Sequence, residues 1–182
     1  MKTLEELLIT PRMFYAPLDN NNSVEGLMEM LIDIDTKEFN IVEIGSFSGV
    51  SSDMIARFCN KLICIDVWSL GSPGISKEQL SIARKRFTKV MNDHNNIISV
   101  EDYSENVAEL IDDESMDMVY IDAVHDYAYV LRDIETWSRK IRSGGFITGH
   151  DIHMTGVKEA VEKSFGDDYK TYKDGSWSYQ KR

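Results

Sequence analysis

At 182 residues the chain has room for one full domain and not comfortably for two, so residues 1–182 are expected to form a single domain. An apolar fraction of 42% excludes wholesale disorder, and a net charge of −11 argues against a nucleic-acid partner, since little in the chain would focus a phosphate backbone. There is no bilayer-length apolar run and no signal-peptide core after Met1, and Cys59 and Cys64 have neither disulfide-framework nor metal-site spacing, so a cytoplasmic protein without a membrane partner is expected.

In chain order, a short amphipathic start is followed by a polar loop, Pro17-Leu18-Asp19-Asn20-Asn21-Asn22. Ser23 is placed to cap a helix over Val24 to Ile34, with Leu27, Met30, Leu31 and Ile34 at helical spacing. Residues 1–39 thus read as an N-terminal helical and loop segment ahead of a core over 40–182. The first strand is Asn40 to Ile44, and a glycine turn feeds a helix from Val50 to Cys59. Lys61 to Asp66 is a second strand, and a loop over Ser69 to Gly74 precedes a helix opened by the capping-box pair Ser76 and Gln79. A weaker third strand covers Asn96 to Val100, with a short helix over Ser104 to Ile111.

Met116 to Asp122 is the fourth strand. Tyr129 to Ile141 carries Val130, Ile134, Trp137 and Ile141 in a helical stripe, which Ser143-Gly144-Gly145 is expected to end. A fifth strand, Phe146 to Thr148, leads to Gly149-His150-Asp151. Val157 to Phe165 reads as a helix closed by Gly166, and Asp174-Gly175 as the turn of a hairpin between strands near Tyr169 and Trp177. Strands alternating with helices imply an α/β, doubly wound, mostly parallel sheet with helices on both faces.

The stretch around which this pattern is organised is Val42-Glu43-Ile44-Gly45-Ser46-Phe47-Ser48-Gly49. A strand that empties through glycines into a helix N-terminus is a common place for nucleotide-like ligands. Many α/β turns use glycine for tight geometry alone, so the turn gains weight from Asp66, 21 residues after Gly45 at the end of the next strand. A carboxylate there can accept both ribose hydroxyls of an adenosine group, although a strand-end aspartate can also be a plain loop residue. Neither a Gly-x-Gly-x-x-Gly pattern nor a P-loop is present, so a diphosphate is not indicated. An adenosine ligand that is cationic and lacks phosphates suits a site lined by Glu43, Asp66 and Asp122, and S-adenosylmethionine has that chemistry.

The turn resembles the first motif of class I S-adenosylmethionine-dependent methyltransferases. Tyr120-Ile121-Asp122-Ala123-Val124-His125-Asp126-Tyr127, Asp133-Ile134-Glu135-Thr136-Trp137, Gly144-Gly145-Phe146-Ile147-Thr148-Gly149-His150-Asp151, Gly156-Val157-Lys158-Glu159-Ala160-Val161 and Asp174-Gly175-Ser176-Trp177 resemble one branch of it. That branch holds small O-methyltransferases related to catechol and macrolide-sugar enzymes, and the likeness spans about residues 40–180. It implies a Rossmann-like, seven-stranded sheet with a C-terminal antiparallel hairpin, and transfer of a methyl group to a hydroxyl of a small sugar or phenolic acceptor.

By the same resemblance, Gly45 and Gly49 let the backbone approach the methionine half, with Glu43, Ser46, Phe47 and Ser51 shaping the pocket. Asp66 would hold the ribose and Ser104 would lie near the adenine, which Trp68 could cover. Asp122 would face the methionine ammonium or a metal. The positions matching Asp122, His150 and Asp151 carry oxygen ligands for magnesium in the metal-dependent relatives. His150 departs from that pattern, and imidazole suits manganese, iron or zinc better, so a divalent cation, magnesium or manganese, is the expectation. His125 matches a general-base position and His150 is the second catalytic candidate, since a neutral imidazole near pH 7 can remove the hydroxyl proton. His94 and His153 read as surface residues. Two rival readings are a nicotinamide-dependent oxidoreductase and a non-catalytic cofactor-binding or assembly protein. The reading also admits a homo-oligomer whose second copy completes the acceptor site.

Overall fold

The computed structural model describes residues 24–68 and 75–182. The polar loop over 17–22, the Ser23 cap and the loop over 69–74 lie outside the described residues. Helix α1 covers Glu25–Ile34, β1 Asn40–Ile44, α2 Val50–Arg57, β2 Lys61–Asp66, α3 Lys77–Asp93 and β3 Ile97–Glu101. Then come α4 (Ser104–Ala108), β4 (Met116–Ile121), α5 (Tyr127–Ser138), β5 (Ile141–Gly149), α6 (Thr155–Phe165), β6 (Lys170–Thr171) and β7 (Trp177–Gln180). The strands form one sheet in the order β3-β2-β1-β4-β5-β7-β6. Pairing is parallel from β3 across to β5, and β7 runs antiparallel to both β5 and β6. This is the doubly wound sheet with a terminal hairpin expected of a class I methyltransferase fold.

Strand alternation divides the core in two. Val42 and Ile44 of β1 point, with Val119 and Ile121 of β4, towards Val130, Ile134 and Trp137 of α5 and Val157 and Val161 of α6. Ile41, Leu62, Cys64, Met118 and Tyr120 face the other way, onto α1, α2 and Phe87 of α3. Each such side chain fully removed from water contributes about 1.5–3 kcal/mol, so both helical layers are held by the period-two pattern of the strands. Trp137 is fully buried between helix and sheet, as its stripe implied.

The α5 stripe identified the buried residues but not where the helix ends. The helix stops at Ser138, and Ile141 belongs to β5 although it remains fully buried. Ser143, Gly144 and Gly145 lie inside the strand instead of closing the helix. The cause is a slip in register: Met116 of β4 faces Ile141, whereas Met118 faces Phe146, so the intervening residues of β5 must bulge. A Cβ on Gly145 would meet the Asp117 carbonyl at 2.6 Å, which is why the bulge takes glycine there.

Helix α1 has no side-chain cap of its own. Its Leu27 amide donates to Asp174 Oδ2 at 2.7 Å, 147 residues along the chain in the β6–β7 turn, while Asp174 Oδ1 accepts from the Ser176 amide at 2.8 Å. The approach is so close that a Cβ on Gly26 would lie 2.1 Å from Asp174 Oδ1. Replacing Asp174 with alanine is expected to cost about 1 kcal/mol, as for an ordinary cap, with asparagine recovering most of it. Thermal melting of the two variants checks this; equal losses would show that the acceptor oxygen is not what matters. No helix of the described residues is long and apolar enough to cross a membrane.

Candidate functional site

The strand order reverses between β1 and β4, where the carboxyl ends of an open α/β sheet part to form a crevice. The hydrogen-bond ladder runs one residue past the strands here: Gly45 N donates to Ile65 O (2.9 Å), Asp122 N to Ile44 O (2.9 Å) and His150 N to Ile121 O (3.1 Å). The three loops that carry the candidate residues are therefore locked side by side. Gly45 sits at φ 91°, and a Cβ there would fall 2.2 Å from the Asp122 carbonyl oxygen. This glycine is required by the contact between the turn and the end of β4, in addition to any approach of a ligand.

A cavity of about 910 Å³ opens at this edge. Gly45, Ser46, Phe47, Ser51, Asp66, Ser104 and Asp122 line it, together with His125, His150 and Asp151. Glu43 and Gly49 do not. Alternation along β1 sends the Glu43 side chain to the Ile41 face, behind the turn, where it is fully buried. Its Oε2 accepts from Ser46 Oγ at 2.6 Å and from Ser52 Oγ, so it fastens the turn to α2 and does not shape the pocket. Burial pushes its carboxyl pKa up, and the hydroxyl hydrogen bonds oppose this. Gly49, at φ 84°, is where the chain enters α2, and a Cβ there would press on Val90 and Phe87.

Asp66 holds the turn from the neighbouring strand. Its Oδ2 accepts from Phe47 N at 2.8 Å and its Oδ1 from Trp68 N at 3.1 Å. Burial raises its pKa, against the pull of those amides. Each carboxylate oxygen keeps a second lone pair for a ligand in the cavity. Trp68 is not a cover for adenine, contrary to the sequence expectation. It is 3% exposed, its indole N–H donates to Phe47 O at 2.7 Å, and it packs on Phe87 with ring centroids 4.7 Å apart. The indole braces the turn from behind.

Ser104 donates to Asp133 Oδ1 at 2.5 Å, and Asp133 also lines the cavity. Sequence reasoning assigned Asp133 no role, although a carboxylate within the Val130–Ile134–Trp137 stripe was the available signal. Burial holds its pKa up at about 6, partly offset by the Ser104 hydroxyl. Because the folded pKa exceeds the unfolded one, Asp133 favours the fold at low pH and loses that contribution as pH rises through about 6. Asp133→Asn is therefore expected to stabilise the protein more at pH 8 than at pH 5, by about 1 kcal/mol. Urea midpoints at the two pH values measure the difference, and a pH-independent effect would contradict it.

The loops after β4 and β5 bring four polar side chains together. His125 Nε2 is 3.0 Å from Asp151 Oδ2 and 3.7 Å from Asp122 Oδ1; His150 Nδ1 is 3.3 Å from Asp151 Oδ1. Hydrogen bonds and charges from Asp122 and Asp151 hold the His125 imidazole charged, with its pKa pushed up to about 10. For His150 burial acts downward, but Asp151 and Asp122 prevail and lift it to about 9. Asp151 is correspondingly held well below the usual carboxylate range by the two rings. In the free protein the two aspartates thus hold both rings toward the charged form. The ligand atoms of Asp122, His125 and Asp151 lie within 4.8 Å of one another, close enough for one cation. His150 falls outside that group.

Outside the cavity, His94 is not the surface residue expected. Its side chain is 14% exposed and its Nε2 lies 2.7 Å from Asp53 Oδ1, beside Arg57. His153 is at the surface, as expected. Cys64 is buried, and burial with the Glu43 charge pushes the Cys59 thiol up to about 12, so neither is a nucleophile.

A family model for a methyltransferase domain matches residues 42–152. No curated protein sequence matches significantly. Among solved structures, the chain is similar to a proposed O-methyltransferase of Klebsiella pneumoniae, at 16% identity and TM-score 0.63 over 98% of this chain and 89% of that one. It is also similar to the cofactor-bound Rv0187 protein of Mycobacterium tuberculosis, at 14% identity and TM-score 0.63 over 92% and 84% of the two chains. The match to YcgJ of Bacillus subtilis, at 17% identity and TM-score 0.52, covers 69% of this chain and about half, 49%, of that one.

Proposed function

The chain belongs to the methyltransferase-domain family matched over residues 42–152, and from that premise we propose that it moves the methyl group of S-adenosylmethionine to a hydroxyl of a small sugar or phenolic acceptor. The family match favours this over the nicotinamide reading. The observation that carries the proposal is the order of groups along the sheet edge. Asp66 ends β2, Gly45 follows β1, Asp122 follows β4 and Asp151 follows β5, so the candidate ribose ligand and the far side of the acceptor-side cluster stand three strand spacings apart. At about 4.8 Å per strand this is roughly 14 Å, with the Gly45–Ser46–Phe47 turn between them. In this reading an adenosine group held at Asp66 would direct its sulfur-bearing end along the edge toward Asp122. Asp66, Asp122, Asp133 and Asp151 line the same cavity, a wall suited to a cationic ligand.

The residues of this chain bind, orient and exclude water. Asp66 accepts the ribose hydroxyls, Ser104 borders the adenine, and Asp122 faces the methionine ammonium. Positioning the acceptor oxygen in line with the methyl–sulfur bond supplies most of the rate in such a transfer. As the oxygen–methyl bond forms and the methyl–sulfur bond breaks, the acceptor's proton must leave, and His125, once it has given up its own proton, is the base placed to take it. The carboxylate oxygens of Asp122 and Asp151 stand close enough to hold a divalent cation between them. Such a cation, when bound, would lower the pKa of the acceptor hydroxyl.

Calorimetry with S-adenosylmethionine, followed by transfer from methyl-labelled donor to a panel of hydroxyl compounds, tests the proposal. Micromolar binding and labelled ether products are expected. Binding without transfer to any hydroxyl acceptor would overturn the O-methyl assignment, and no binding at millimolar donor would overturn the whole reading.

A further inference from the structure

We infer that Asp133 sets the base specificity of the donor site: by holding the Ser104 proton it leaves the Ser104 oxygen able only to accept, so this end of the cavity selects a 6-amino purine over a 6-oxo purine. The inference deepens the proposed donor binding and rests on it in placing Ser104 beside the adenine. Asp133 is a positioning residue here, acting on the ligand through Ser104.

A serine hydroxyl carries one proton and two lone pairs, and its direction of bonding is open until a neighbour fixes it. Ser104 Oγ donates to Asp133 Oδ1 at 2.5 Å, while Glu105 Oε2 lies 3.4 Å from the same oxygen, so the short bond takes the proton. An ionised carboxylate has no proton to give back, and a hydroxyl is held more firmly by a charged acceptor than by a neutral one. The lone pairs of Ser104 Oγ are then what a ligand meets. On the edge of adenine the ring nitrogens are acceptors and the 6-amino group is the donor, so that group is the partner Ser104 can take. Hypoxanthine carries a 6-oxo group in its place, and two acceptors would face one another.

The fold keeps Asp133 where it can do this. It lies on α5 among Val130, Ile134 and Trp137, which are buried in the core, and it is itself 8% exposed while lining the cavity. A carboxylate buried to that degree depends on hydrogen bonds, and among the described residues Ser104 is the donor it has. Arg132 also lines this end, but its guanidinium is engaged elsewhere, 3.7 Å from Glu105 Oε1 and 4.9 Å from the centre of the Tyr129 ring. Asp102 and Glu105, which line the same end, offer further acceptors.

The test compares S-adenosylhomocysteine with S-inosylhomocysteine, its 6-oxo counterpart, by calorimetry on the full chain at pH 8, where Asp133 is ionised. The wild type is expected to bind the adenosine form about 10- to 100-fold tighter, as for a site that loses one hydrogen bond and leaves its acceptor unpaired. Asp133→Asn keeps the shape, but its amide brings an N–H donor to the pair in either orientation, so the preference should fall by about 5-fold or more. Ser104→Ala removes the oxygen and should lower the preference by a similar factor, whereas Glu105→Gln should leave it unchanged. Thermal melting confirms that each variant folds. A bond that served only to join α4 to α5 would, when lost, weaken both ligands alike and keep their ratio. An unchanged ratio in Asp133→Asn or Ser104→Ala, a ratio as sensitive to Glu105→Gln, or wild-type affinity that is equal for the two forms or reversed would overturn the inference and leave donor binding standing. Failure of both forms to bind at millimolar concentration would remove the donor reading, and this inference with it.

Discussion

Replacing Asp66 with alanine is expected to weaken S-adenosylmethionine binding about 100-fold. Two hydrogen bonds from ribose hydroxyls to a carboxylate are each worth about 1.5–3 kcal/mol, and losing both amounts to roughly 3 kcal/mol or more. The same carboxylate accepts from the amides of Phe47 and Trp68, so the alanine variant also frees the turn that the ligand would lie on. Asp66→Asn separates the two effects. It keeps one acceptor oxygen for the backbone but cannot grip both hydroxyls as an anion, so its fold should survive while affinity still falls at least 10-fold. Calorimetry on both variants, with thermal melting as the control, reads the outcome. Wild-type affinity in a folded Asp66→Asn protein would place the ribose elsewhere.

Gly45→Ala should be the most damaging small substitution at the site. The left-handed backbone alone costs a non-glycine residue about 1–2 kcal/mol. The added methyl would also stand 2.2 Å from the Asp122 carbonyl oxygen, a backbone atom that cannot rotate away. Separating the turn from β4 adds an overpacking cost of about 1–3 kcal/mol, for a total near 3 kcal/mol. In a protein of this size that lowers the melting temperature by about 6–12 °C. The displaced turn would lose donor binding as well. Gly166→Ala is the comparison, because no atom lies within 4 Å of a Cβ there and only the backbone term applies. If the two variants melt alike, close packing of the turn is not the reason for glycine at 45.

Much of this was legible in the chain. The strand from Asn40 to Ile44, the strand from Lys61 to Asp66 and the capping box at Ser76 and Gln79 stand where the residues placed them. The signals there are local: period-two alternation, a carboxylate at a strand end, and a side chain that bonds to a backbone three residues away. The bulge in β5 was not legible, because Gly144 and Gly145 look the same whether they end a helix or relieve a strand against Asp117. Trp68 likewise could not be placed, since whether an indole faces a ligand or Phe87 depends on how the helix that begins at Lys77 packs against the turn.

Sequence alone determined the sheet, the turn from Glu43 to Gly49 as its organising element, and the carboxylates along one edge. Backbone propensity and alternation act between near neighbours, and those features need nothing more. Only the tertiary structure decided what each group faces. It turned Glu43 behind the turn as an anchor and drew Asp133 into the cavity through Ser104. It set Asp174 as the cap of a helix 147 residues away and brought His125 as well as His150 against Asp151. Those outcomes depend on distances of a few ångströms between segments far apart in the chain, which no local pattern records.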